Sequence, residues 1–169
     1  MINMGSDNSS NNSLLNYILE ESMSKDHVIV MEKLSEPKHD EDIAAELNLK
    51  ATIVRTLLNE LHAKNLVEYE RTKNKKTGWY TYLWKKREDK IDEFIQSYLT
   101  HKLDILNKQL QVEKQGITFA CSCNRVSLEE AIETNFICPR CNETFIEFDN
   151  EKIIRKLESE IRKINKLLK

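Results

Sequence analysis

Four cysteines are the residues of this chain whose type and spacing most clearly predict chemistry. They form two closely spaced pairs, Cys121-x-Cys123 and Cys138-x-x-Cys141. Two such knuckles place four thiolates around one zinc ion in a tetrahedron, with Zn–S distances of about 2.3 Å. The N-terminus does not look like a secretion signal, and in a cytosolic protein a compact cysteine cluster favours metal binding over disulfides. We therefore predict one structural Zn²⁺ held by Cys121, Cys123, Cys138 and Cys141.

The residues around the cysteines suit a small fold that depends on its metal. Pro139 pre-shapes the second knuckle, and Asn124 and Asn142 each follow a cysteine pair at a position that often takes a positive φ. Only a few apolar residues are available for a core, so the metal is expected to provide much of the folding energy. They are Phe119, Phe136, Ile137, Phe145 and Phe148. The first pair has one intervening residue and indicates zinc less strongly than the second.

Alternatives to a structural zinc stay open at the level of the sequence. Iron also accepts four sulfur ligands, and free or redox-active thiols would show the same spacing. A catalytic zinc is disfavoured, because four cysteines leave no position for water. The sequence contains no His–Glu pair beside the cysteines, no Ser/His/Asp constellation and no phosphate-binding loop. We therefore predict that the protein is not an enzyme.

A second group of residues combines positive charge with aromatic rings. Cations neutralise phosphates and rings stack on bases, so this group suits single-stranded or distorted nucleic acid. It also suits a protein partner, because Trp, Tyr and Arg dominate interface hot spots. Alternatively the rings pack a core, since strand alternation turns about half of the side chains inward. The candidate contact residues are Arg71, Lys73, Lys75, Lys76, Trp79, Tyr80 and Tyr82.

Two helices separated by a short turn precede this group and predict a helix-turn-helix. The first begins at Asp40 with acids that complement the helix dipole, and Asn48 is placed to end it in the left-handed conformation. The second runs from Ala51 to Lys64 with an apolar stripe at helical spacing. On its exposed side Arg55 is the one strong reader of bases, and it is a further candidate contact. Tight recognition in the major groove is therefore not expected.

The strands Leu66–Arg71 and Trp79–Trp84 flank a basic turn and predict a hairpin directly after the second helix. A hairpin in this position is the wing of a winged helix-turn-helix domain. The bland alternative is a generic α+β domain with no role in binding nucleic acid.

The whole chain is predicted to be mainly α with small β elements. A polar, disordered tail is predicted over residues 1–13, and the winged helix-turn-helix domain over 14–87. A helical linker over 88–116 leads to a C-terminal zinc ribbon over 117–149. An amphipathic C-terminal helix, with apolar residues at the spacing of a coiled-coil seam, is predicted over 150–169.

Composition excludes several classes of protein. Of the 169 residues 40% are hydrophobic and 32% charged, while only three Gly and two Pro argue against a turn-rich β-sandwich. No apolar run approaches the roughly 18 residues of a membrane span, so we predict a cytoplasmic protein with no membrane contact. The net charge is −2, yet Arg71–Lys90 carries eight Lys or Arg against two acids. Nucleic-acid contact should therefore come from that segment.

In the order of its parts the chain resembles archaeal transcription factor E, the counterpart of the α subunit of eukaryotic general transcription factor IIE. The resemblance covers nearly everything after the N-terminal tail. Its most specific pieces are Thr72–Tyr82 (TKNKKTGWYTY) in the wing, and Ser127–Ile132 (SLEEAI) and Asn135–Cys141 (NFICPRC) in the ribbon. The family's metal ligands fall on the four cysteines, although the family usually has two residues inside the first pair.

The resemblance implies a general initiation factor that binds RNA polymerase near its clamp and stalk. Such proteins assist promoter opening together with the TATA-binding protein and factor B. Their winged helix lies near the non-template strand of promoter DNA and stabilises the open complex, and we expect this chain to act there as a monomer. The alternative is a sequence-specific winged-helix repressor with a zinc-dependent dimerisation tail, which the exposed face of the second helix argues against.

Overall fold

The computed structural model describes residues 7–73, 75, 78 and 80–169, without the side chains of residues 7–11. The described part is mainly helical with two small three-stranded sheets. None of its helices combines the length and the hydropathy needed for a membrane span. The helices are α1 (Asp7–Ser22), α2 (Lys25–Lys33), α3 (Asp40–Leu47), α4 (Ala51–Ala63), α5 (Glu88–Gln115), α6 (Leu128–Glu133) and α7 (Glu151–Leu167). The strands are β1 (Lys38–His39), β2 (Val67–Lys73), β3 (Tyr80–Lys86), β4 (Thr118–Ala120), β5 (Arg125–Ser127) and β6 (Ile146–Glu147).

The chain divides into two compact units after Tyr98. This division falls inside α5, the helix predicted as the linker. Ile91 and Ile95 in the first turns of α5 are buried, because its apolar stripe begins immediately after the wing. The first unit therefore contains α1 to α4, the sheet of β1 to β3 and the start of α5.

The predicted helix-turn-helix is confirmed in α3 and α4. Asn48 ends α3 with φ 54° and ψ 40°, the left-handed conformation expected of an Asn in this position. The backbone N–H of Leu49 then donates to the Ala44 carbonyl at 2.9 Å, which satisfies a carbonyl at the end of the helix. One face of α4 is buried in the unit's core, through Val54, Leu57, Leu58 and Leu61.

The predicted wing forms an antiparallel hairpin of β2 and β3. Tyr69 lies opposite Trp84, Arg71 opposite Tyr82 and Lys73 opposite Tyr80. A short strand before α3, β1, pairs with the other edge of β3. Sequence reasoning missed β1, because two residues are too few to show an alternating pattern. Asn74, Lys76, Thr77 and Trp79, in and beside the predicted turn, lie outside the described residues.

Helix α1 begins inside the segment predicted as a disordered tail. It begins at Asp7, so Asp7–Ser13, expected to belong to a disordered tail, is helical, while residues 1–6 lie outside the described part. The prediction rested on a polar composition without an apolar stripe. Nucleation is the costly step of helix formation and adding residues to an existing helix is cheap. The buried turns around Leu15 and Ile18 therefore support an extension that the sequence pattern does not reveal.

The second unit contains the ribbon and the C-terminal helix. Its sheet has the order β5-β4-β6 with antiparallel pairing. Ser127 caps α6 by accepting from the Glu130 backbone N–H, and the Glu130 side chain accepts in return from the Ser127 N–H. This reciprocal pair is a capping box, and it fixes where the chain turns from β5 into α6. The predicted C-terminal helix is confirmed in α7.

Candidate metal centre and wing surface

The four cysteines converge on one point of the second unit. Cys121 and Cys123 lie in the turn between β4 and β5, and Cys138 and Cys141 lie in a second turn between α6 and β6. Their four Sγ atoms all lie within 4.8 Å of one another. The Sγ–Sγ distances are 3.7 Å for Cys121–Cys123, 3.6 Å for Cys123–Cys138 and 3.6 Å for Cys141–Cys121.

These distances fit a tetrahedral metal site. Four sulfurs about 2.3 Å from one zinc ion form a tetrahedron whose edge is about 3.8 Å. A disulfide needs about 2.05 Å, so none of the measured pairs is bonded. The donor set is soft sulfur throughout, as zinc prefers. The four residues therefore fit a single ion with all four coordination positions filled.

The two knuckles differ in backbone geometry. In the second, Asn142 has φ 58° and its N–H donates to the Cys138 carbonyl at 2.9 Å, as predicted for the residue after a Cys-x-x-Cys pair. Asn124, after the first pair, does not adopt positive φ, so that prediction was wrong. The shorter first turn is closed by the Cys121 N–H, which donates to the Asn124 carbonyl at 3.0 Å. One fewer intervening residue removes the need for a left-handed position.

The electrostatics of the cluster favour a bound cation. Backbone N–H groups of Cys141 and Arg140 lower the pKa of the Cys138 thiol to about 6, so this sulfur is readily a thiolate. Hydrogen bonds with Cys141 and then Cys138 raise the pKa of Cys123 to about 12. Sulfurs this close share protons, because neighbouring thiolates repel one another. A divalent cation would remove that repulsion and displace the protons.

Sequence reasoning missed the residues that support the ribbon. Glu113 near the end of α5 accepts from the Arg125 guanidinium at 2.7 and 3.1 Å and from the Asn150 amide at 2.9 Å. The pKa of Glu113 is held below its usual range, chiefly by its hydrogen bonds with Arg125. The guanidinium also lies over the Phe148 ring, 4.4 Å from its centroid. No local motif marks this network, because its members lie far apart in sequence.

The wing presents an exposed aromatic ring beneath a cation. Tyr80 is 46% exposed, and the Arg71 guanidinium carbon lies 3.5 Å from the centroid of its ring. Lys73 Nζ lies 5.7 Å from the same centroid, and Lys75 is exposed. Three predicted contacts thus meet at one surface, which we call the wing surface (Arg71, Lys73 and Tyr80). The predicted contacts Lys76 and Trp79 lie outside the described residues.

The aromatic residues of β3 change from exposed to buried along the strand. Every second side chain of a strand lies on the same face, so Tyr80, Tyr82 and Trp84 share one face of β3. Trp84 is only 2% exposed. Tyr82 is half-buried, and its ring centroid lies 5.2 Å from that of Tyr69. Tyr69 in turn lies 4.9 Å from Trp84. Tyr82, predicted as a contact residue, is therefore placed in a packed aromatic cluster.

Arg55, the predicted base reader, is bound to another side chain. Its Nε donates to Asp40 Oδ2 at 2.6 Å, and a terminal nitrogen forms an ion pair with the same oxygen at 2.5 Å. Asp40 is 4% exposed, so the carboxylate holds the guanidinium against α3. The predicted base reader of α4 is therefore bound to a carboxylate, and that carboxylate is followed in the first turn of α3 by two more acids, Glu41 and Asp42.

Comparison with known proteins agrees with this architecture. Residues 13–115 match the family described as TFIIE alpha subunit. The chain is 37% identical over 132 residues to Transcription factor E of Methanocaldococcus jannaschii, covering 77% of this chain and 76% of that protein. It is 38% identical over 138 residues to Transcription factor E of Saccharolobus islandicus, covering 80% of this chain and 78% of that protein.

Among solved structures, a possible transcriptional regulator from Methanosarcina mazei is 20% identical, with a TM-score of 0.48. It covers 66% of this chain and 94% of its own length. A likeness at this level adds nothing to the family assignment, which rests on sequence.

Proposed function

This chain belongs to the TFIIE alpha subunit family and is a general transcription factor, and we propose that it binds RNA polymerase in the pre-initiation complex. There it assists promoter opening beside the TATA-binding protein and factor B, and stabilises the open complex. Its contacts are with the polymerase clamp and stalk and with the non-template strand. It works as a monomer and has no catalytic role.

The contrast between α4 and the wing surface is the observation that carries this proposal. Arg55 is held by Asp40, and α3 presents Glu41 and Asp42 where a DNA backbone would approach a helix-turn-helix. The wing instead places Arg71 and Lys73 against the exposed ring of Tyr80. Such an arrangement binds strands whose bases are unstacked, without reading their sequence.

We further propose that the ion held by Cys121, Cys123, Cys138 and Cys141 is zinc, one per chain, with a structural role. Zinc would supply folding free energy to the ribbon and no reaction chemistry, since the sulfurs fill its coordination. Glu143 supports the site, because its carboxylate accepts from the Ser122 N–H at 3.0 Å and so links the two knuckles.

Binding measurements at one fixed salt concentration test the function. The full chain is titrated with purified polymerase, with random duplex DNA and with the same duplex carrying an unpaired bubble. We expect binding to polymerase and a preference for bubble over duplex in the polymerase complex. Replacing Trp79 and Tyr80 by Ala should weaken open-complex stabilisation and leave the fold intact. Lys108→Ala serves as control, because this exposed lysine of α5 lies far from the wing in sequence.

Two outcomes would contradict the proposal. Tight binding to one specific duplex, together with no affinity for polymerase, would identify a sequence-specific repressor. Unfolding of the Trp79→Ala/Tyr80→Ala protein would show that these rings pack a core and are not contacts.

A further inference from the structure

A cavity of about 620 Å³ opens in the first unit between the start of α3, helix α4 and the sheet. It does not coincide with the wing surface, although Tyr80 belongs to both. The metal site and the proposed contact between the wing surface and the non-template DNA strand assign no role to this cavity.

Aromatic rings form one wall of the cavity. Tyr69, Tyr82 and Trp84 line it, with Tyr69 inclined 76° to Tyr82 and 57° to Trp84. Rings tilted against one another present faces in several directions, and the face of an aromatic ring attracts cations. Such a wall suits a positively charged group that is either flat, like a guanidinium, or carried on an extended chain, like a lysine ammonium.

The opposite wall is acidic. Asp40 and Arg55 form an ion pair and neutralise each other. Glu41 and Asp42 also line the cavity and are exposed, so their two charges are not balanced within it. Glu41 makes no ion pair with any described residue, and Asp42 acts only at long range on Lys38. These carboxylates would repel phosphate, so a nucleic-acid strand is disfavoured here.

Trp84 is the most deeply buried of the three rings of the aromatic wall. Trp84 is 2% exposed, and its indole Nε1–H has no hydrogen-bond partner in the described structure. This nitrogen is itself buried from solvent, so Trp84 serves the cavity as part of its aromatic wall and not as a hydrogen-bond donor.

We propose that the cavity receives an arginine or lysine side chain from a protein partner. The basic head lies between the aromatic wall and the Glu41 and Asp42 carboxylates. This inference rests on the proposed function and deepens it, since it states the chemistry of one contact with the transcription machinery.

The indole signals of the full chain in a nitrogen–proton NMR spectrum test this directly. The chain has two tryptophans, so Trp79→Phe identifies the Trp84 signal. The probes are acetyl-Ala-Arg-Ala-amide, its lysine analogue, and the citrulline analogue, which has the shape of arginine without its charge. An oligothymidine strand is the fourth probe. Saturable shifts of the Trp84 signal are expected with the arginine and lysine peptides alone.

A pair of double variants separates the cavity from general surface charge. Glu41→Gln/Asp42→Asn should weaken binding of the arginine peptide by about threefold or more, as expected for two exposed ion pairs. Glu129→Gln/Glu133→Gln removes the same charge from α6 and should leave the affinity unchanged. Equal shifts with citrulline, a shift with oligothymidine only, or no shift with any probe would overturn the proposal.

Binding to polymerase distinguishes the two proposals from one another. Glu41→Gln/Asp42→Asn should weaken that binding severalfold. Unchanged binding would overturn the cavity's role and leave the proposed function intact. If the unaltered chain fails to bind polymerase, the proposed function fails, and the peptide titration still decides whether the cavity takes a basic side chain.

Discussion

The two units of this chain are stabilised by different physics. The first has a continuous apolar core in which long aliphatic side chains such as Leu19, Leu58 and Leu61 are fully buried. In the second, the ribbon's described buried side chains are few. They are Ala131, Cys138 and Phe145. So small an apolar core is insufficient alone, because a short segment buries too little surface to offset its conformational entropy.

This contrast indicates which unit depends on a ligand for its fold. The first unit is expected to keep its structure under conditions that leave the cysteines without metal. The ribbon is expected to lose its structure, since structural zinc contributes about 10–16 kcal/mol in comparable small domains.

Cys138→Ser should abolish stoichiometric metal binding and unfold the ribbon. Cys138 is fully buried and lies 3.6 Å from the sulfur of Cys123, so its loss removes a ligand that no neighbour replaces. Metal analysis and the near-ultraviolet spectrum of the cobalt-substituted protein measure this. Ser122→Ala, inside the first knuckle, is the control and should retain one ion per chain. Full metal content in the Cys138→Ser protein would contradict the four-sulfur site.

Leu58→Ala should destabilise the first unit by about 2–5 kcal/mol, because it leaves a cavity in a core that cannot collapse around it. Ile53→Ala is the matched control on the same helix, since Ile53 is 45% exposed and should cost far less. Two-transition denaturant unfolding measures both variants. An equal loss of unfolding free energy in the ribbon's transition would contradict the separate stabilisation of the two units.

Glu113→Gln should destabilise the second unit by about 1–3 kcal/mol at neutral pH, because it leaves the Arg125 guanidinium without its charged partner. The pKa of Glu113 is held below its ordinary value of 4.5. Its contribution is therefore complete above that value and is lost as the pH falls through the lowered pKa. The difference in unfolding free energy between the variant and the unaltered protein should therefore shrink as the pH falls below 4.5. Glu129→Gln is the control, and equal losses in both would remove any special role from Glu113.

Arg71→Ala should weaken binding to bubble DNA by about two- to fivefold and reduce the slope of log affinity against log salt by about 1. Neither unit's unfolding transition should move, because Arg71 is exposed. Lys108→Ala should change neither quantity. An unchanged salt slope would show that Arg71 makes no phosphate contact.

The elements that the sequence predicted correctly are those whose pattern lies within a short stretch of the chain. The helix-turn-helix was predictable because Asn48 ends α3 by a local rule and α4 carries an uninterrupted apolar stripe. The cysteine cluster was predictable because thiolate spacing is itself the signal. Strand β1 was missed because pairing with β3 stabilises it and no pattern of its own does.

The roles of individual side chains depended on tertiary contacts that no spacing reveals. Arg55 is the reader expected from residue type, yet it is bound to Asp40 in the neighbouring helix. Tyr80 and Tyr82 are the same residue type on the same face of β3. Tyr80 lies nearer the tip of the hairpin and is exposed, whereas Tyr82 lies nearer its base and packs against Tyr69. Glu113 acts through partners in other elements.

Hydrogen exchange before and after chelation tests most directly whether the two units are stabilised separately. The full chain is loaded with one zinc ion and its amide exchange is followed, first intact and then with the ion removed. We predict that removal exposes the amides of β4 to β6 to rapid exchange and leaves those of α2 and α4 protected. Protection retained in both units, or lost from both together, would contradict the account.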